Sequence, residues 1–168
     1  MIRYRAPTRK SSPYVTAVGY RTLKAELDDL WVSRRDVVLH LQAAAAEGDR
    51  SENAEYIYRK KQLREIDRRI RYLQKRIPDL QVVDALPGDR DKVFFGPTVI
   101  LGDETGEECS SRIVGADETD AKTGWISVDS PMSKALLGKR LDEEVTVRTP
   151  TGSKMYWILA IDYEAFHD

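Results

Sequence analysis

The fold is decided by the stretch Gly48-Asp49-Arg50-Ser51-Glu52-Asn53 and by what stands on either side of it. Upstream, Tyr20, Leu23, Leu27, Leu30, Arg34, Val37, Leu41 and Ala44 recur at alternating steps of three and four. Downstream, Tyr56, Arg59, Leu63, Ile66, Ile70, Leu73, Ile77 and Leu80 do the same. Such spacing keeps one stripe of each helix facing a partner helix, as in a coiled coil. Two stripes joined by a single glycine-containing turn predict an antiparallel hairpin. In register, residue numbers across the seam sum to about 100, so Leu30 faces Ile70 and Leu41 faces Arg59. Each arm reaches roughly 40 Å at a rise of ~1.5 Å per residue. Asp49 and Glu52 fall at its tip.

The first helix is expected from Thr16 or Ala17 to Ala46 or Glu47, with Gly19 a weak point near its start. Ala43–Ala46 make a narrow approach to the tip, and Gly48 suits the residue that closes a helix. The second helix is expected from about Arg50 to Ile77, where Pro78 stops it. Beyond Leu80 the period changes from helical to alternating. Strands are predicted at Leu80–Val83, Val93–Phe95, Thr98–Leu101, Cys109–Val114, Trp125–Val128, Val145–Thr149 and Met155–Asp162. One helix interrupts them at Pro131–Leu137, with Ser130 as cap, Pro131 at the first position and Gly138 as terminator. The reading is α+β: a coiled-coil hairpin over 16–79, then an antiparallel sheet domain with one short helix over 80–168.

Composition narrows the function classes. Of 168 residues, 41% are hydrophobic and 33% charged, enough apolar material for a core beside a highly solvated arm. The net charge of −1 conceals a division. Residues 1–76 carry 18 Lys/Arg against 10 Asp/Glu, a net of +8, whereas 77–168 carry 9 against 18, a net of −9. A basic arm on an acidic body suits two contact surfaces, the alternative for each being a solvated face. Cys109 is the single cysteine, which excludes an internal disulfide and fits a reducing compartment. It reads as a small sheet residue, not a redox centre. His40 and His167 are too far apart in sequence to suggest a zinc site, and no role is assigned to either. Residues 1–15 read as a mobile basic tail that lacks the apolar core of a signal peptide. No run has the length of a membrane span.

Two readings of the tip stand side by side. Structurally, Asp49 caps the second helix and Glu52 closes a capping box, with Ser51 a competing cap. Functionally, two carboxylates three residues apart offer hard oxygen ligands to Mg²⁺. Magnesium takes six oxygens, so two carboxylates serve only beside a partner that supplies the rest. The stretch Arg59–Arg76 holds nine Lys/Arg and two acids, Glu65 and Asp67. Part of that excess is expected to balance Asp28, Asp29 and Asp36. The remainder is either a solvated face or a track for phosphates.

The tip run Gly48–Tyr56 and the run Lys60-Lys61-Gln62-Leu63-Arg64-Glu65-Ile66-Asp67-Arg68-Arg69 resemble the Gre family of bacterial transcript-cleavage factors, its GreB branch above all. Lys92-Val93-Phe94-Phe95-Gly96, Arg112-Ile113-Val114-Gly115 and Ile126-Ser127-Val128-Asp129-Ser130-Pro131-Met132 carry the same similarity, which runs from about Tyr14 to Tyr163. The resemblance implies a monomeric cytoplasmic factor, associated with the nucleoid through bacterial RNA polymerase. Its hairpin would enter the polymerase's secondary channel, where Asp49 and Glu52 complete the coordination of a second Mg²⁺ shared with the polymerase active site. The isolated protein would hold no metal. The intrinsic cleavage activity of the polymerase would then cut the 3′ end of backtracked nascent RNA. Arg50, Ser51 and Asn53 would support the tip, and Tyr56 is expected to pack in the seam. Arg59, Lys60, Lys61, Arg64, Arg68 and Arg71 would form an RNA-binding basic patch. Asp129, Ser130, Pro131 and Met132 would dock on a coiled coil of the largest subunit at the channel rim. The C-terminal domain would be FKBP-like, without implying isomerase activity. Competing classes are a channel-occupying inhibitor of the same fold, a free-standing nuclease or prolyl isomerase, and a non-catalytic coiled-coil adaptor.

Overall fold

The computed structural model describes residues 10–47 and 53–163. Two compact units emerge, one from Tyr20–Leu80 and the other from the segment before Tyr20 together with the chain from Gln81 onward.

The first unit is the hairpin. Helix α1 spans Ala17–Ala46 and α2 spans Ala54–Arg76. Their seam buries Val37, Ile66 and Ile70, with Leu27, Leu30 and Leu63 packed against them. The register agrees with the sequence periodicity, since Leu30 lies in the cluster that contains Ile70. Two cross-helix ion pairs fix it: Arg34 Nε to Asp67 Oδ1 at 2.7 Å, and Arg69 to both oxygens of Glu26 at 2.6 and 2.8 Å. The acids expected to balance α2 were Asp28, Asp29 and Asp36. Glu26 does so instead, because only it reaches the seam; Asp28 and Asp29 are exposed, and Asp36 lies 3.5 Å from His40 on its own helix. Helix α2 starts later than its expected beginning at Arg50. Its cap is Asn53, whose side-chain oxygen accepts from Tyr56 N–H at 3.1 Å, so neither Asp49 nor Ser51 fills that position. At its other end the chain tightens into a single 3₁₀ turn, Ile77–Asp79, which accommodates Pro78.

The second unit is a curled sheet with one short helix. Strands β1 (Tyr14–Thr16) and β2 (Gln81–Val83) pair in parallel. Strands β3 (Thr98–Asp103), β4 (Glu108–Val114), β5 (Trp125–Ser127), β6 (Glu144–Thr149) and β7 (Gly152–Asp162) form a sheet in the order β5-β4-β3-β7-β6. Val93, Val99, Leu101, Ile113, Leu136, Val145 and Ile158 fill its core, with Leu136 contributed by α3 (Pro131–Leu136). Three sequence expectations are corrected here. The sheet is antiparallel except at β5, which runs parallel to β4, because residues 115–124 carry the chain back beside Arg112 before it pairs. Val93–Phe95 is no strand. Its backbone is claimed elsewhere: Val93 N–H donates to Lys139 O, Val93 O accepts from Gly138 N–H, and Phe94 N–H donates to the Tyr163 hydroxyl. The third concerns the basic tail over 1–15, whose Tyr14 and Val15 lie in β1, with Val15 fully buried.

Thr16 caps α1, its hydroxyl accepting from Gly19 N–H at 3.0 Å. The Glu118 carboxylate grips Thr16 in turn, accepting from its N–H at 3.0 Å and from its hydroxyl, and also from Gly115 N–H at 2.8 Å. This packing gives two glycines a positive reason. A Cβ on Gly19 would stand 1.9 Å from Glu118 Oε1, and one on Gly115 would stand 2.3 Å from Tyr14 O. Gly19 is therefore less a weak point in the helix than the space into which Glu118 fits.

Candidate functional site

Three groups of residues were expected to act, and the structure treats them differently. Asp49, Arg50, Ser51 and Glu52 lie outside the described residues. What is described is the pair of helix ends that hold them. Asn53 spans those ends: its amide nitrogen donates to Ala44 O at 2.8 Å on α1, while its oxygen caps α2. Ala44 is buried and its carbonyl also receives Glu47 N–H at 3.3 Å. One side chain thus ties residue 44 to residue 56, on either side of the stretch of sequence that contains the acids. Tyr56 is half-buried beside this clamp, with Lys60 Nζ 5.9 Å from its ring.

The basic residues of α2 sort by helical angle. At 100° per residue, Lys60, Arg71, Arg64, Arg68 and Lys61 fall within about one quadrant of the helix. All five are exposed, and among the described residues none joins an ion pair. Arg59 belongs elsewhere. It sits in the middle of the seam side, half-buried, with Nε on Glu55 Oε1 at 2.7 Å and Nη1 on Gln62 Oε1 at 3.2 Å. Its charge is answered locally and it leaves the patch. Lys75, outside the expected patch, joins the same exposed quadrant. Its signal was available: it stands four residues after Arg71 and seven after Arg68. Ile57, 53% exposed, lies on this face at its tip end.

The loop after β5 is tightly built. Ser130 caps α3 by accepting from Ser133 N–H at 3.1 Å, and Ser133, fully buried, donates its hydroxyl to Ser127 O at 2.7 Å. Pro131 is exposed, whereas Met132 turns inward against the sheet core. Met132 is accordingly a support of this loop more than part of its face. Asp129 is half-buried, and both its oxygens are engaged by Ser12: one accepts from Ser12 N–H at 2.8 Å, the other from its hydroxyl. Ser12 belongs to the segment read as a mobile tail, and nothing in its sequence context foretold a bond across 117 positions.

No cluster of three or more His, Cys, Asp or Glu suited to a metal ion occurs among the described residues. Nor is any helix among them long and apolar enough to cross a membrane. Cys109 stands exposed on β4, its thiol pKa raised by partial desolvation of the sulfur and by the nearby Asp103 carboxylate, against the lowering pull of Lys154.

Comparison with known proteins places these features in one lineage. The family described as transcription elongation factor, N-terminal, matches residues 13–82, and that described as transcription elongation factor, GreA/GreB, C-terminal, matches 88–163. The protein named transcription elongation factor GreB of Xanthomonas axonopodis pv. citri is 57% identical over 97% of this chain and 98% of its own. Its namesake of Pseudomonas aeruginosa is 52% identical over 97% and 98%, and that of Yersinia pestis 52% identical over 94% and 92%. With both halves matched and identity above one half along nearly the whole length, this chain belongs to the GreA/GreB family of transcription elongation factors.

Proposed function

We propose that the protein binds RNA polymerase, passes its hairpin through the secondary channel and stimulates cleavage of backtracked RNA. The observation that carries this reading is the Asn53 clamp at the end of a register-locked hairpin. It ties together the ends of helices of 30 and 23 residues, between which the two acids lie in sequence. A chain that needed only a turn there has no use for Asp49 as a cap, since Asn53 already caps α2. That favours a role for the two acids toward a partner.

The donor chemistry fits Mg²⁺, which favours carboxylate oxygens, but two carboxylates leave most of its six positions to be filled from the polymerase and its substrate. When bound, the metal activates water and stabilises the leaving oxygen of a phosphodiester. The part of this chain is to present Asp49 and Glu52, to hold their loop through Asn53, and to orient the substrate with Arg50 and Ser51. The polymerase remains the enzyme, and this protein is an accessory factor. Lys60, Lys61, Arg64, Arg68, Arg71 and Lys75 run the extruded RNA along one face of α2 by its phosphates. Asp129, Ser130 and Pro131 dock at the channel rim, and the protein acts as a monomer within the nucleoid.

The test uses polymerase stalled in a backtracked state with labelled RNA and Mg²⁺. Stimulated cleavage is expected from the native protein and its loss from Asp49→Asn and Glu52→Gln, each with binding retained. Full cleavage by both variants would falsify the assigned acids, and inhibition by the native protein would favour the channel-blocking alternative. Reversal of Lys60, Lys61 and Arg64 to Glu is expected to shorten the released fragments or weaken crosslinking to RNA. If neither changes, the face is merely solvated.

A further inference from the structure

We infer that Ser12 is a positioning residue for polymerase docking, holding the Asp129 carboxylate in its binding orientation from a strap that leads into α1. The inference rests on the reading of Asp129–Pro131 as the docking surface, and extends that surface to a segment with no apparent role in the sequence.

Ser12 meets Asp129 as a pair of donors matched to a pair of acceptors, N–H on Oδ2 at 2.8 Å and hydroxyl on Oδ1. An aspartate on a surface loop otherwise samples several χ1 wells, and a partner that binds one of them must first select it. Two-point contact removes that freedom before the partner arrives. The backbone beneath is fixed as well, since Asp129 N–H donates to Ser127 Oγ at 3.1 Å and Ser130 caps α3. Ser12 can act as a clamp only if it is itself anchored, and it is. Pro13 O accepts from Gln81 N–H at 2.8 Å, and Tyr14 begins the pairing with β2. Tyr14 O lies where only a glycine at 115 leaves room, and Thr16 is held by Glu118. Residues 12 to 16 therefore form a taut span. One end grips the docking carboxylate and the other caps the hairpin's first helix. A disordered tail would show none of these contacts.

The full-length protein is titrated against core RNA polymerase, with Ser12→Ala, Ser12→Thr, Asp129→Asn and the Ser12→Ala/Asp129→Asn pair measured beside it. Ser12→Ala is expected to weaken binding about three- to tenfold, the scale of ordering one side chain at an interface. Its unfolding midpoint is expected to match the native protein. Ser12→Thr, which keeps the hydroxyl, is expected to restore affinity, and the double variant to bind no worse than Asp129→Asn alone. Native affinity in Ser12→Ala beside a weakened Asp129→Asn overturns the inference and leaves the docking reading intact. Native affinity in Asp129→Asn overturns the docking reading, and the inference with it. Additive losses in the double variant, or no rescue by threonine, show that Ser12 acts apart from Asp129 and also overturn it.

Discussion

The hairpin and the sheet unit hold themselves together in different ways. In the sheet unit, Val93, Val99, Leu101, Ile113, Leu136 and Ile158 are all fully removed from solvent and touch one another across several strands and a helix. The hairpin has one seam. Its buried members, Leu23, Val37 and Ala44 on α1 and Ile66, Ile70 and Leu73 on α2, line that seam, and the outward sides of both helices face water. Trp31, Val32 and Leu39 on α1 and Ile57 and Tyr58 on α2 remain more than a third exposed. Two helices cannot enclose a core as a sheet and helix can, because most of each cylinder has no partner. The lesson is a division of labour. The hairpin leaves most of its surface uncovered and uses polar pairs in its register, while the sheet unit holds most of the buried apolar residues.

The largest expected effect separates these two regimes. Leu101→Ala, in the centre of the sheet unit, is expected to cost about 3–5 kcal/mol, the upper part of the range for buried leucine. Ile70→Ala in the seam is expected to cost nearer 2 kcal/mol, because two helices can close over the gap. Urea unfolding with hydrogen exchange resolved by unit measures both. Equal losses would mean the seam is packed as rigidly as the sheet, and the contrast fails.

The same division decides what could be read from the sequence. The hairpin was legible almost entirely, because a three-four period and an arm-to-arm register are local arithmetic. Leu30 against Ile70 follows from counting. The late start of α2 was not legible, since Asn53 competes with Asp49 and Ser51 as a cap and wins by also reaching Ala44 O. Among the basic residues, the seam position of Arg59 was legible from spacing, but its bonds to Glu55 and Gln62 were not; the same angular count would have admitted Lys75. In the sheet unit the strands were visible as alternation, but their partners were not. The parallel β4–β5 pairing depends on the path of residues 115–124. The loss of the strand at Val93–Phe95 depends on a tyrosine about 70 positions away. The Ser12–Asp129 contact is the extreme case, as serine beside proline near a terminus reads as disorder unless its distant acceptor is known.

A middle-sized effect sharpens the comparison by pH. The Tyr163 hydroxyl accepts from Phe94 N–H at 2.9 Å and donates to Lys92 O at 2.5 Å, fastening the end of β7 to the segment before β3. Burial raises its pKa above the usual value for tyrosine. The Asp89 carboxylate adds to this, against the lowering pull of the Phe94 hydrogen bond. Because the folded value exceeds the unfolded one, the stabilisation is fully present below about pH 10 and is lost as pH rises through the folded value. Tyr163→Phe is expected to cost about 1 kcal/mol at pH 8. The gap to the native protein should then narrow as the pH climbs past 10, with the loss confined to exchange rates in the sheet unit. A gap that widens with pH, or a loss seen equally in the hairpin, would break the assignment.

The smallest expected effect bears most directly on how a thin arm keeps its register. Arg34 and Asp67 approach to 2.7 Å, yet their side chains retain 36% and 32% of their exposure, so water screens most of the attraction. A double-mutant cycle with Arg34→Ala and Asp67→Ala is expected to return about 0.2–1 kcal/mol of coupling, decreasing as salt is raised. So little energy cannot be what holds the helices together; Val37, Ile66 and Ile70 do that. Its value lies in what a slip would cost. Sliding one helix by a turn sets Leu30 against Ile66 and Leu27 against Ile70, pairs that an apolar seam tolerates. The same slip parts Arg34 from Asp67 and Glu26 from Arg69 together, and would draw Asn53 away from Ala44 O. Combining Arg34→Ala with Glu26→Ala should therefore leave the hairpin helical by circular dichroism while broadening the amide resonances of residues 44 to 47 and 53 to 56. If those resonances stay sharp, the apolar residues alone specify the alignment, and the polar pairs are passengers on it.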